Sequence, residues 1–71
     1  MKYKKAVEFG KNLRAERIRQ GYSLESLGET INLNPTHIGK IERAELSPTL
    51  PTILALLSGL NLKLEDLVKL D

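Results

Sequence analysis

Basic side chains are concentrated in residues 1–43 of this 71-residue chain, where nine Lys or Arg stand against five Glu. Residues 44–71 contain two Lys and four acidic residues, so the two parts carry +4 and −2 although the net charge is only +2. Ammonium and guanidinium groups bind phosphates, and a polyanion such as a nucleic acid would therefore meet the first part. The alternative is an uneven surface charge without a polyanion partner, since charge alone does not decide function.

Catalytic chemistry has no comparable set of residues. The chain has no cysteine and a single histidine, His37, which excludes thiolate zinc sites and Cys/His nucleophiles and argues against a dedicated metal site. We find no Ser/His/Asp set, no carboxylate pair and no glycine loop that would cradle a phosphate. The sequence therefore predicts a protein that is not an enzyme and that needs no cofactor, metal or small-molecule ligand.

Two stretches bear on localisation. The start, MKYKK, is similar to that of a signal peptide, but Glu8 and Lys11 follow it and no apolar run appears. Residues 46–62 lack charge, yet Pro48, Pro51 and the short length argue against a membrane span. The absence of cysteine fits a reducing compartment. We expect a cytoplasmic protein with no membrane partner.

Residues 23–42 contain two short helical patterns separated by a three-residue break. Their apolar residues recur at three- and four-residue intervals, which gives each helix one buried face: Leu24, Leu27 and Ile31, then Ile38 and Ile41. Asn32-Leu33-Asn34 predicts the turn, because asparagine tolerates left-handed backbone. Asn34 is a good N-cap, and Pro35 suits the first helical position after it. The pattern predicts a helix-turn-helix.

Other residues mark helix ends. Gly21 predicts a left-handed stop after the first helix, and Ser23 predicts the cap of the second. Gly28 lowers the helix propensity of the second helix. Either another helix passes too close for a side chain there, or the glycine has no structural role.

Two charged residues fall on apolar helix faces. A first helix is predicted over residues 6–20, and Arg17 lies four residues after Leu13 on its stripe. Glu42 lies four residues after Ile38 on the inward face of the third helix. We therefore predict an Arg17–Glu42 ion pair that ties the first helix to the third. The alternative is that both side chains extend past the apolar faces into solvent.

The last 23 residues are rich in apolar side chains, twelve of them Leu, Ile, Val or Ala. They predict a fourth helix capped by Thr49 and a short fifth helix after Leu62. Because two short helices bury about one face each, we expect surplus side chains outside. These form a predicted dimer interface of Leu56, Leu64, Val68 and Leu70. The alternative is that a small core absorbs all of them.

The chain resembles the phage repressor and Cro type of helix-turn-helix protein, also called the XRE family. The resemblance covers residues 9–68 and includes Leu13 and Arg17, GYSLESLG at 21–28, INLNPTHIGKIERAELSP at 31–48 and LNLKLEDLV at 60–68. It implies an all-α, compact five-helix, lambda-repressor-like domain spanning residues 1–71, with the helix-turn-helix in helices 2 and 3. It also implies a homodimer on operator DNA, with the Arg17–Glu42 pair as a family feature.

In this family the second helix of the motif enters the major groove, with its amino-terminal residues against the bases. The resemblance implies base contacts by Asn34, Pro35, Thr36 and Lys40, and Lys40 suits guanine O6 or N7. It implies DNA-backbone contacts by residues near the start of helix 2 and in or just after helix 3, namely Ser23, Leu24, His37 and Arg43, and a secondary contact by Arg14 on the outer side of helix 1. The lysines of residues 1–5 either add contacts or form a flexible basic arm.

Several residues depart from the family pattern. Leu24 replaces a common phosphate-binding glutamine, and Pro35 replaces a common polar base reader. Lys63 replaces the usual Ser or Thr cap of helix 5, and Ala44 replaces the usual glycine after helix 3. We expect a sequence-specific, double-stranded-DNA-binding transcriptional regulator acting as a homodimer on a pseudo-palindromic operator. The alternative, favoured by Leu24 and Pro35, is an interaction module that keeps the fold without specific DNA binding. Phage-type repressor, restriction-modification controller and antitoxin all remain open.

Overall fold

The computed structural model describes residues 3–70, which form four α-helices and one turn of 3₁₀ helix. The elements are α1 (Lys4–Arg19), α2 (Leu24–Ile31), α3 (Pro35–Glu42), α4 (Leu50–Leu60) and the 3₁₀ helix (Leu64–Asp66). Residues 3–70 contain no strand. The predicted all-α class is therefore confirmed, whereas the prediction of five α-helices is wrong.

The expected fifth helix stops after one turn because α1 binds the backbone that would continue it. Asn12 Nδ2 donates to the carbonyl oxygen of Leu67 at 2.8 Å. The N–H of Lys69 donates to Glu8 Oε2, also at 2.8 Å. The Leu67 carbonyl and the Lys69 N–H are therefore bonded to side chains of α1 rather than to neighbouring turns of a continued helix.

The caps of the motif follow the sequence prediction. Ser23 Oγ accepts from the N–H of Ser26 at 2.9 Å, and Asn34 Oδ1 accepts from the N–H of Thr36 at 2.8 Å. Asn32 has φ 56° and Gly21 has φ 81°, so both adopt the left-handed conformation that ends their helices. The register of the helix-turn-helix is thus fixed locally.

Two boundaries differ from the prediction. Helix α1 begins at Lys4, so the expected arm over residues 1–5 overlaps the first helical turn, while Met1 and Lys2 lie outside the described residues. Thr49 is the N-cap residue of α4 but its side chain makes no capping bond. Its hydroxyl donates instead to Thr52 Oγ1 at 3.2 Å.

The core lies where α1 and α2 pack against α3 and where α4 packs against α2. Seven side chains in it are less than 2% exposed: Leu13, Leu27, Ile38, Ile41, Leu56, Leu60 and Leu67. This burial corrects two residues of the predicted dimer interface. Leu56 is fully buried and Val68 is 8% exposed, and Leu64 packs partly buried against the core. Of the four predicted residues only Leu70 is exposed.

The predicted ion pair is present at the junction of α1 and α3. Arg17 Nε donates to Glu42 Oε2 at 2.7 Å, and a second guanidinium nitrogen donates to Oε1 at 3.1 Å. Both residues are 8% exposed. Arg17 also donates to the carbonyl oxygen of Tyr22 at 2.9 Å. One guanidinium therefore joins α1, the turn that follows it and the end of α3.

Gly10 is where α1 crosses the end of α3, and we expect Gly10→Ala to destabilise the fold by about 1–3 kcal/mol. A Cβ at Gly10 would lie 2.6 Å from the Ile41 carbonyl oxygen and 2.5 Å from that of Glu42. The helices must move apart because backbone atoms cannot rotate away. Urea denaturation followed by circular dichroism measures the effect.

The exposed α1 residue Ala15 provides the matched control, since Ala15→Gly reports helix propensity without a clash and should cost about 1 kcal/mol. Without a clash, Gly10→Ala would stabilise α1 by a similar amount. A Gly10→Ala protein more stable than the parent would therefore contradict the close approach.

Candidate nucleic-acid interface

Helix α3 presents one face to the core and the other to solvent. Ile38 and Ile41 are buried, whereas Thr36 and Lys40 are exposed. This division matches the periodicity of the sequence. Thr36 and Lys40 therefore lie on the outward surface of the helix, as a base-reading helix requires.

The outward face of α3 borders a shallow groove that extends onto the loop before α4. Four sequence-predicted residues line the groove together with two that the sequence did not single out: Asn34, Thr36, His37, Lys40, Glu45 and Leu46. The groove combines a hydroxyl, an imidazole, an ammonium and a carboxylate. The hydroxyl, imidazole and ammonium can donate to base edges and phosphates, whereas the carboxylate can only accept from base donors.

Pro35 lies apart from this groove. It lines a separate depression around the turn, with residues of α2 and of the turn itself: Glu25, Gly28, Glu29, Asn32, Leu33 and Asn34. A Cβ at Gly28 would collide with the Leu33 carbonyl oxygen. Gly28 is thus required by the turn of its own motif, not by a passing helix.

Asn34 has two tasks if it also contacts DNA. Its Oδ1 accepts the N–H of Thr36 as the N-cap of α3. The amide nitrogen is then the group of this side chain that can donate to a base or phosphate. Capping fixes its orientation at the start of α3.

The start of α2 offers backbone donors more than side chains. Ser23 and Ser26 cap each other, with the Ser23 N–H donating to Ser26 Oγ at 2.9 Å. The Leu24 side chain is half-buried and packs against the core. Leu24 can therefore offer a phosphate only its backbone N–H, at a helix end that favours anions.

Arg43 and Glu45 form an ion pair just beyond α3. Arg43 Nε donates to Glu45 Oε2 at 2.9 Å, with side-chain exposures of 56% and 47%. The hydrogen bond to Glu45 raises the pKa of Arg43 above its usual value, and the charge of Glu45 acts in the same direction. Arg43 thus stays a full cation beside the groove, with a carboxylate already in contact.

The loop after α3 holds Glu45 in place. Ala44 has φ 58°, a left-handed conformation that is uncommon for alanine. The Ala44 N–H donates to the Ile41 carbonyl oxygen at 3.1 Å, and the Glu45 N–H donates to that of Lys40 at 2.8 Å. These bonds close the end of α3 and direct the chain back toward the groove.

Residues 3–70 contain no group of three or more His, Cys, Asp or Glu side chains placed to hold a metal ion. No helix in this part of the chain is long and apolar enough to cross a membrane.

Arg14, which is predicted from the sequence to contact the DNA backbone, is exposed on α1 and is not among the groove residues named above.

Comparison with known proteins gives concordant matches. Residues 13–67 match the family model HTH_3, described as helix-turn-helix. The chain is 36% identical over 55 residues to YgzD of Bacillus subtilis (strain 168), an uncharacterized HTH-type transcriptional regulator. That match covers 78% of this chain and 83% of the relative.

Solved structures show the same architecture. The restriction-modification controller protein C.AhdI from Aeromonas hydrophila superposes with a TM-score of 0.85 at 32% identity, covering 92% of this chain and 98% of the controller. The DNA-binding domain of BldD from S. venezulae superposes with a TM-score of 0.81 at 25% identity, covering 93% and 99%. Both span nearly the whole of the present fold.

Proposed function

The chain belongs to the helix-turn-helix family of transcriptional regulators, the XRE family, and from this membership we propose that it binds a specific operator as a homodimer. This family is not a class of enzymes, and the partner implied by membership is double-stranded DNA. We place the protein in the cytoplasm and treat residues 1–71 as one domain. One observation carries the proposal: exposed Thr36 and Lys40 on a helix whose start and opposite face are fixed.

Base reading falls to the groove face of α3. Lys40 can donate to guanine O6 and N7, and Thr36 can offer its hydroxyl or place its methyl on thymine. Asn34 contributes a donor at the start of the helix, whereas Pro35 lines the separate depression at the turn and adds no contact from the groove. Because so few side chains read bases, each recognised base pair depends on one residue.

Backbone binding falls to groups around the two helix ends. Arg43 beyond α3 and the N–H groups at the start of α2 hold phosphates, with Ser23 and His37 beside them. Arg14 adds positive charge from α1. These contacts set the position of α3 in the groove and carry no sequence information themselves.

The dimer interface uses the exposed leucines of α4 in place of the buried ones. Leu50 is 66% exposed and Leu54 is 57% exposed, one helical turn apart. Residues 46–62 carry no charge, so two copies of this face meet without like-charge repulsion, as a twofold contact requires. Exposed Leu70 remains a candidate from the predicted set.

The dimensions of the chain fit paired binding. Its extents are 30 × 22 × 21 Å, and half-sites one helical turn apart are separated by about 34 Å. Two copies must therefore lie side by side for both α3 helices to enter the major groove. Selection of bound duplexes from a random pool tests the proposal. Recovery of an inverted repeat supports it, whereas the absence of any salt-sensitive enrichment contradicts it.

The competing function is an interaction module without specific DNA binding. The half-buried Leu24 and the turn-facing Pro35 favour it, because neither supplies a polar side chain to DNA. Exposed Lys40 and Arg43 oppose it. Retention of the protein on duplex DNA that weakens steeply with salt separates the two functions.

Lys40 and Arg43 should respond differently to truncation. We expect Lys40→Ala to relax preference at one base pair by about 1–3 kcal/mol, because base contacts are sequence-dependent. Arg43→Ala should weaken selected and random duplexes alike and reduce the salt slope by about 1. Fluorescence anisotropy with both duplexes at several salt concentrations measures these effects. Equal losses on both duplexes for Lys40→Ala would contradict its role in base reading.

A further inference from the structure

We propose that Glu45 competes with DNA phosphates for Arg43 and thereby limits the affinity of this surface for DNA of any sequence. The inference rests on the proposed function. It concerns a residue to which neither family membership nor the sequence pattern assigns a role. The observation behind it is a carboxylate held within the DNA-facing groove.

A carboxylate beside Arg43 occupies the guanidinium much as a phosphate oxygen would. Both are oxyanions that accept N–H donors at similar distances, and the Arg43–Glu45 bond measures 2.9 Å. To bind a phosphate through Nε, Arg43 must release this carboxylate. The bond therefore opposes a phosphate contact through Nε, and the carboxylate lowers the net positive charge that Arg43 presents to any phosphate.

The exchange of partners is reversible because both side chains are about half exposed. Exposed ion pairs add little stability, so releasing Glu45 changes affinity several-fold rather than abolishing binding. Once released, the carboxylate lies close to the DNA phosphates, and like charges repel. Both effects act in the same direction, against binding.

The backbone of Glu45 is held in place. Its N–H donates to the carbonyl oxygen of Lys40, and Ala44 forms the left-handed turn before it. It lines the same groove as Thr36 and Lys40. The turn therefore keeps the Glu45 backbone beside the groove, and the released carboxylate remains within side-chain reach of the bound DNA.

Glu45→Gln tests the competition, since it removes the charge and keeps the shape. The variant should bind the selected duplex and a random duplex about three- to tenfold more tightly at low salt, and its salt slope should be steeper by up to about 1. The gain should be equal on the two duplexes. The part of the gain that comes from competition for Arg43 should disappear when Arg43→Ala is also present, and the smaller part that comes from phosphate repulsion should remain.

Glu65→Gln is the matched control, because Glu65 is exposed on the 3₁₀ helix and is not among the groove residues. It makes the same change in net charge and should alter affinity less than about twofold. Unchanged or weaker binding by Glu45→Gln overturns the inference, as does a gain confined to one sequence or one that persists fully without Arg43. These outcomes arise while the parent protein binds DNA, whereas failure of the proposed function appears as absence of binding by the parent itself.

Discussion

Replacing Glu42 with alanine is expected to lower the free energy of unfolding by about 3–5 kcal/mol. The substitution leaves Arg17, a residue only 8% exposed in the parent protein, without the carboxylate that now accepts two hydrogen bonds from its guanidinium. A domain of this size has a total stability of only about 4–10 kcal/mol. The variant should therefore melt some tens of degrees lower or be largely unfolded at room temperature.

Glu16 offers the matched control, since it pairs with Arg19 three residues away on the exposed surface of α1. Glu16→Ala removes a carboxylate from an ion pair as well, yet it should cost less than about 1 kcal/mol because solvent screens the pair. Urea midpoints for the parent and both variants give the comparison. Similar midpoints for Glu42→Ala and Glu16→Ala would sink the assignment of a structural role to the buried pair.

A second variant keeps this test informative if Glu42→Ala does not fold. Replacing both partners, Arg17→Met with Glu42→Leu, leaves no buried charge and should recover much of the lost stability. Recovery shows that the cost lies in the unpaired guanidinium. A double variant as unstable as Glu42→Ala would instead assign the cost to packing at the α1–α3 junction.

The helix-turn-helix could be predicted because its determinants are local. The caps Ser23 and Asn34 act within three residues of themselves, and Asn32 ends α2 by its own backbone preference. The Arg17–Glu42 pair was also predictable, although the residues are far apart in sequence. Each charge lay at helical spacing on an apolar stripe, and two buried charges require each other.

The early end of the expected fifth helix was not predictable in the same way. The backbone after its single turn is bound by Glu8 and Asn12, which lie 61 and 55 residues away from their partners. No pattern within residues 62–70 predicts those hydrogen bonds. Periodicity shows which side chains could share a helix face. It carries no information on the tertiary hydrogen bonds to α1 that end this helix after one 3₁₀ turn.

In the candidate site, too, some residues could be predicted from local sequence and others could not. The outward positions of Thr36 and Lys40 follow from the inward positions of Ile38 and Ile41, so the sequence predicts them. Glu45 reaches the groove because Ala44 adopts φ 58°, which alanine does not favour. The composition of the loop therefore did not reveal that a carboxylate would line the groove.

Leu56 and Leu54 separate core burial from surface association, and we expect opposite effects of truncating them. Leu56 is fully buried, so Leu56→Ala should cost about 2–5 kcal/mol through lost burial and a residual cavity. Leu54 is 57% exposed, so Leu54→Ala should leave the stability of the monomer within about 0.5 kcal/mol. Both substitutions remove the same atoms from the same helix.

Leu54 should instead control self-association. In analytical ultracentrifugation, we expect Leu54→Ala to weaken the dimer and the Leu50→Ala, Leu54→Ala double variant to weaken it further, because the pair forms one apolar surface on α4. Cooperative binding to an inverted repeat should weaken in parallel, while binding to a single half-site is retained. An unchanged dimer in the double variant would place the interface elsewhere, with exposed Leu70 as the next position to test. If Leu56→Ala is as stable as the parent protein and yet dimerises poorly, Leu56 lies at the dimer interface, as predicted from the sequence, and not in the core.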